Sequence, residues 1–204
     1  MDLDNTSQNE NPIKEDDIDY NLNKIDPTIR TLRIAAGWDL KEFDGENIDV
    51  DLSCFLLDKN NKTREDSDFI FYNNLQGAEL AARHLGDNRT GFGERDDEAI
   101  LIDLTALPFD IYRIVFSVSI YLADERNQDF TMVENSFVRV VNEETEKELA
   151  RDDMAEKFAE ATAVRFCELE RQGSEWIFRK IHQPAEKGLK EIAEDYDLLI
   201  TTIG

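Results

Sequence analysis

Residues 86–98 read GDNRTGFGERDDE: three glycines and five carboxylates in thirteen positions, interrupted by Arg89 and Arg95. Carboxylates at this density repel one another, and each glycine adds conformational entropy that folding must overcome. A divalent cation turns that repulsion into coordination. Calcium takes about six to eight oxygen ligands at 2.3–2.6 Å. Asp87, Asn88, Glu94, Asp96, Asp97 and Glu98 supply side-chain oxygens, and Gly86, Gly91 and Gly93 allow the backbone to turn its carbonyls inward. Counting from Asp87 brings Glu98 to the last position of an EF-hand loop. Arg89, Gly91 and Phe92 then fall where that loop needs oxygen, oxygen and glycine, so the EF-hand is excluded. A calcium loop on a β scaffold stays open, beside a solvated acidic loop, which leaves the glycine spacing unexplained.

Further oxygen donors lie nearby in the chain. GWDLKEFDGENIDVD carries Asp39, Asp44, Asp49 and Asp51, and DFIFYNN ends in Asn73 and Asn74. Asp49 and Asp51, two apart on a strand, share a face. Each of these has an ordinary alternative as a turn residue or strand end. Catalytic patterns are poorly represented. His84 and His182 are the two histidines, with no zinc spacing around them, and no nucleophile elbow, Walker loop or dinucleotide fingerprint occurs. A hydrolase with paired cations held by carboxylates stays open as a minor reading. Cys54 and Cys167 sit in apolar alternating runs and read as reduced core thiols.

These donors must be held by a scaffold, and the chain has the length for one domain: 204 residues, 41% hydrophobic, with a formal charge of -23. That balance argues against nucleic acid as a partner and against direct adsorption to anionic lipid, unless a divalent cation bridges the two. The N-terminus lacks the basic and apolar regions of a signal peptide, and no apolar run reaches membrane-spanning length. The expected compartment is the cytosol.

Residues 1–28 are polar and acidic and predict a flexible extension, with Ile18, Tyr20 and Leu22 the one place where it could order. From Thr31 the period is two. Val50, Leu52, Cys54 and Leu56 mark one strand face, and Tyr112 through Leu122 another. SFVRVV and KELARDD flank NEETE as one hairpin; TAVRFCELE and EWIFRKI flank RQGS as a second. Short strands at near-regular spacing predict an all-β sandwich. One amphipathic helix follows Pro184, on the stripe Ala185, Leu189, Ile192, Ala193 and Tyr196, and a shorter turn of helix is expected over 125–133.

Taken in order, GWD at 37–39, DVDLSCFLL at 49–57, DFIFYNNL at 68–75, GDNRTG at 86–91, DDE at 96–98, FVRVVNEETEKELARDD at 137–153 and the segment WIFRKIHQPAEKGLKEIAEDY resemble the TerD family of tellurium-resistance and bacterial stress-response proteins. The resemblance implies a β-sandwich of two antiparallel sheets over residues 29–204, with calcium at two neighbouring sites in acidic loops at one end. It implies as ligands Asp87, Asn88, Gly91, Gly93, Glu94, Asp96, Asp97 and Glu98, together with Asp39, Asp49, Asp51, Asn73 and Asn74. It implies no established catalytic activity, and action beside other stress or tellurium-resistance proteins, in a membrane-associated complex or as a monomer or weak oligomer. The family loop reads closer to GDNxTGEGDGDDE. Phe92 in place of an acid, Glu94 in place of Asp and Arg95 in place of glycine predict weaker calcium binding at one of the two sites. The alternatives are a metal-independent interaction scaffold and the metal-dependent phosphoester hydrolase.

Overall fold

Successive side chains of a strand point to opposite faces, so a run of alternating apolar residues can bury one face against a second sheet. The computed structural model describes residues 19–40, 48–86, 96–153, 158 and 160–199. Of the expected site residues, Asp87, Asn88, Gly91, Gly93 and Glu94 lie outside the described residues, as does Asp44.

The chain opens with β1 (Asp19–Asn21) and α1 (Leu22–Ile25), then runs through β2 (Thr31–Leu40), β3 (Val50–Leu57), β4 (Phe69–Ile70), β5 (Gln76–Gly77), β6 (Ala82–His84) and β7 (Glu98–Asp103). β8 (Arg113–Ile120), α2 (Ala123–Arg126), β9 (Val133–Asn142), β10 (Lys147–Asp153), β11 (Ala163–Gln172), β12 (Glu175–Ala185) and α3 (Gly188–Asp195) complete it. Two six-stranded antiparallel sheets result, in the orders β1-β12-β11-β8-β3-β4 and β10-β9-β2-β7-β6-β5. Both hairpins legible in the sequence pair as β9/β10 and β11/β12.

Leu52, Cys54 and Leu56 of β3 and Ile114, Phe116 and Val118 of β8 meet Ile34, Ile100, Ile102, Val138 and Val140 of the facing sheet in one core. Cys54 and Cys167 are fully buried within it, flanking Phe116 in register. Burial pushes both thiols up, away from the reactive thiolate. α3 is too short to hold as an isolated helix. It is fixed by Leu189, Ile192 and Tyr196 packing on Phe55, Phe69 and Val115 of the first sheet's outer face. Ala185, expected on the helical stripe, ends β12 but joins the same cluster. The expected turn of helix over 125–133 resolves into α2 and a 3-10 turn at Phe130–Met132.

Residues 19–28, assigned by the sequence to the extension, contribute to the sandwich. β1 pairs with β12 from Asp19 opposite Arg179 to Asn21 opposite Ile177, and Tyr20 and Leu22 are buried. Asn21 and Asn23 tie this strand and helix to Glu175 and to the Trp176 amide, each at 2.8 Å.

Gly37 illustrates how tightly the second sheet is made. A Cβ there would lie 2.5 Å from Phe137 Cζ, and the Arg151 guanidinium stacks on the same ring at 3.8 Å. Gly37→Ala must push the ring outward, so an unfolding free energy lower by about 1–2 kcal/mol is expected in urea denaturation. An unchanged midpoint would show that the ring has room to move.

Candidate metal centre

Several connections end at one end of the sandwich. β2 arrives there with Asp39, β3 departs with Asp49 and Asp51, and β7 departs with Asp96, Asp97 and Glu98. The residues that bound the acidic stretches 41–47 and 87–95 sit at these strand ends and just past the end of β6.

The ladder between β2 and β7 stops at Ala36 opposite Glu98, and a bulge between Gly37 and Asp39 shifts the pairing with β9. The Trp38 amide, lying past the end of the β7 ladder, donates to Asp97 Oδ2 at 2.8 Å, while the Asp97 amide donates to the Ala36 carbonyl at 2.8 Å. Asp39, next along, accepts from Asn135 Nδ2 at 2.8 Å. Burial holds the Asp97 carboxyl above the usual carboxylate range against the Trp38 bond, and the charges of Asp39 and Asp96 push the same way. Burial is the largest of these effects, and the neighbouring acids add to it.

Asp96 is differently placed. Both its oxygens are held by Arg139, Nε to Oδ1 at 2.6 Å and Nη2 to Oδ2 at 2.8 Å. Glu98 turns inward: its Oε2 accepts the Leu52 amide of the opposite sheet at 2.7 Å. Asp51 alternates with the core residues Val50 and Leu52 and so faces the outer side of the first sheet. There it lines a cavity of about 190 Å³ with Ser119, Thr162, Lys187 and Lys190. The Asp49 carbonyl accepts from the Tyr121 amide at 2.8 Å. Asn74 spends its amide on closing a turn, donating to the Phe69 carbonyl at 2.6 Å, and Asn73 is exposed beside it.

The structure therefore leaves Asp97 within the electrostatic reach of Asp39 and Asp96, sends Glu98 into the core and Asp51 to another face, and uses Asn74 locally. Among the described residues, no three His, Cys, Asp or Glu converge as a metal cage. The donors at this end are hard oxygens, which fits calcium and not a soft metal. Two residues outside the expected donor set also bear on this end: Arg139, paired with Asp96, and His84, which the sequence places where its imidazole could pack or cap and which touches Leu52 and Glu98. Their partners are distant in sequence, and no spacing rule reveals them.

The TerD domain family model matches residues 15–196. The chain is 42% identical over 177 residues to tellurium resistance protein TerD of Serratia marcescens, covering 87% of this chain and 92% of that protein. It is 44% identical over 180 residues to general stress protein 16U of Bacillus subtilis, covering 88% and 93%. A crystal structure of a homologue of telluride resistance protein (TerD) from Streptomyces coelicolor superposes with a TM-score of 0.69 at 21% identity, over 81% of this chain and 95% of that one. At that identity the likeness shows the shared fold alone. No described helix is long and apolar enough to cross a membrane.

Proposed function

The chain belongs to the TerD domain family of tellurium-resistance and stress-response proteins, and from that premise we propose that it binds calcium at the acidic end of its sandwich and acts by binding partners, not by catalysis. The observation that carries this reading is that Asp97, bonded to the Trp38 amide next to Asp39 in the chain, feels the charges of Asp39 and Asp96 at the strand ends that bound both acidic stretches. Calcium there would neutralise carboxylates that the fold crowds together, and would order that end as a docking surface for other proteins of the stress response. In this reading Asp39 and Asp97 supply oxygens together with donors of the acidic stretch 87–95. Phe92 and Arg95 subtract a carboxylate and add a cation, so the second of the two expected sites binds more weakly.

Calcium titration calorimetry of wild type and Asp97→Asn tests this. The variant keeps an oxygen for the Trp38 amide but loses a negative charge, so its calcium affinity is expected to fall about tenfold. Isotherms that coincide would remove Asp97 from the site, and a flat wild-type isotherm would end the reading.

One observation favours the metal-independent scaffold. Asp96 has Arg139 on both oxygens and Asn74 is committed to its turn, so part of the expected donor set already has protein partners. Partner capture that is unchanged by a chelator would support that scaffold. Capture lost on chelation supports the calcium reading.

A further inference from the structure

On the outer face of the first sheet, Asp51 of β3 stands directly opposite Ser119 of β8, so the two side chains are neighbours on one face. They are 4% and 3% exposed, and both line the outer-face cavity of about 190 Å³. A buried hydroxyl is ordinarily hydrogen-bonded. That of Ser119 has no such bond among the described residues, and neither has that of Thr162, which lines the same cavity. The floor therefore carries a carboxylate and two hydroxyls that the fold has not used.

The walls carry opposite charge. One is the approach to α2 and its first turn, with Asp124 and Glu125; the other is the start of α3, with Lys187 and Lys190. α3 begins without a side-chain cap, although Glu191 takes the Lys187 amide at 2.9 Å. Gly188 turns the chain into the helix at φ +68°, where a Cβ would stand 3.6 Å from the Thr162 hydroxyl. The first amides of α3 therefore add positive potential beside the two lysines. The walls do not neutralise each other. Among the described residues Asp124, Glu125 and Lys187 enter no ion pair, and Lys190 makes one loose contact, to Glu194 at 3.8 Å.

A lone anion entering this cavity meets the acids, and a lone cation meets the lysines. A molecule that carries both charges can satisfy each wall with its opposite. We propose that the cavity binds a small α-amino acid as its zwitterion. Its ammonium lies toward Asp124, Glu125 and Asp51, its carboxylate toward Lys187, Lys190 and the first amides of α3, and the Ser119 and Thr162 hydroxyls fix its orientation. Few polar groups placed around a small concave volume are the ordinary anatomy of such a site. The proposal is independent of calcium.

L-Alanine is the probe, beside N-acetyl-alanine, which lacks the ammonium, and alaninamide, which lacks the carboxylate. In NMR titrations of the full chain, at fixed ionic strength and with a chelator, alanine is expected to shift the Ser119, Thr162 and Gly188 amides. Each blocked analogue should bind about tenfold more weakly, the value of one charge-assisted contact. Lys187→Met with Lys190→Met alters two exposed side chains, so the ligand-free melting point should stay at the wild-type value. Alanine affinity should fall about tenfold in that variant, and alaninamide should no longer lag behind alanine. Asp124→Asn with Glu125→Gln should abolish the discrimination against N-acetyl-alanine in the same way. The absence of shifts at millimolar alanine overturns the proposal, as does K187M/K190M binding alanine like the wild type. Alaninamide binding the wild type as tightly as alanine also overturns it, because general attraction to a chain of charge -23 would then explain the binding.

Discussion

Calcium at a hundredfold excess over its Kd is expected to raise the unfolding free energy by about 2.7 kcal/mol, since only the folded chain assembles the site. For a fold of this size that moves the melting point up by roughly 5–11 °C, and a chelator should return it to the starting value. A formal charge of -23 complicates the measurement. Any cation relieves some self-repulsion in such a chain, so part of the rise would come from screening alone. Sodium chloride at matched ionic strength measures that part. Magnesium measures another, because it keeps its waters and demands a stricter geometry than a loop of this kind offers. The specific remainder is what Asp97→Asn should reduce. Midpoints that coincide in calcium, in magnesium and with chelator would show that the crowded acids of this end are solvated side chains and nothing more.

The two thiols bear on the family's association with tellurium. Cys54 and Cys167 are both buried in the core and separated by Phe116, and burial holds them protonated. Neither offers an accessible thiolate to an oxyanion. The proposed role through binding at the acidic end draws on neither thiol.

What could be read in the sequence depended on whether the signal was local. Val50, Leu52, Cys54 and Leu56 announce a strand because the pattern is contained in seven residues, and the structure buries all four. The β9/β10 and β11/β12 hairpins were legible for the same reason, each with its turn residues between its strands. β1 was not. Its three residues, DYN, bury little apolar area by themselves, and they are ordered by Glu175, Trp176 and Arg179, more than 150 positions away. At the acidic end the residue types were legible and their assignments were not. Glu98 looked like one more loop carboxylate until β4 proved too short to cover Leu52. Asp96 looked equivalent to Asp97, but Arg139 of β9 reaches across β2 to hold both Asp96 oxygens, while Asp97 takes the Trp38 amide.

Arg64→Met is expected to lower stability by about 3–5 kcal/mol, because it strands a carboxylate that water does not reach. Asp68 is fully buried at the start of β4. Arg64 grips it from both sides, Nε to Oδ2 and Nη2 to Oδ1, each at 2.8 Å, with its own backbone amide on Oδ2 at 3.0 Å. Asp68 in turn holds the guanidinium well above its ordinary pKa, chiefly through these hydrogen bonds. The second arm of Arg64, to Asp110 at 2.7 Å, ends on an exposed carboxylate and contributes little. Removing the guanidinium leaves Asp68 with one backbone donor for a full negative charge. Replacing both partners, as Arg64→Met with Asp68→Leu, removes the charge along with its counter-ion and should recover most of the loss. An exposed helical pair gives the contrast: Lys190 and Glu194, at 3.8 Å, should cost no more than about 0.5 kcal/mol when broken. Urea denaturation of the two single variants and the double variant closes the cycle. A loss below about 1 kcal/mol in Arg64→Met alone would mean that Asp68 finds water or a proton without a rearrangement, and β4 would then be held by Phe69 and Ile70 packing and not by this ion pair.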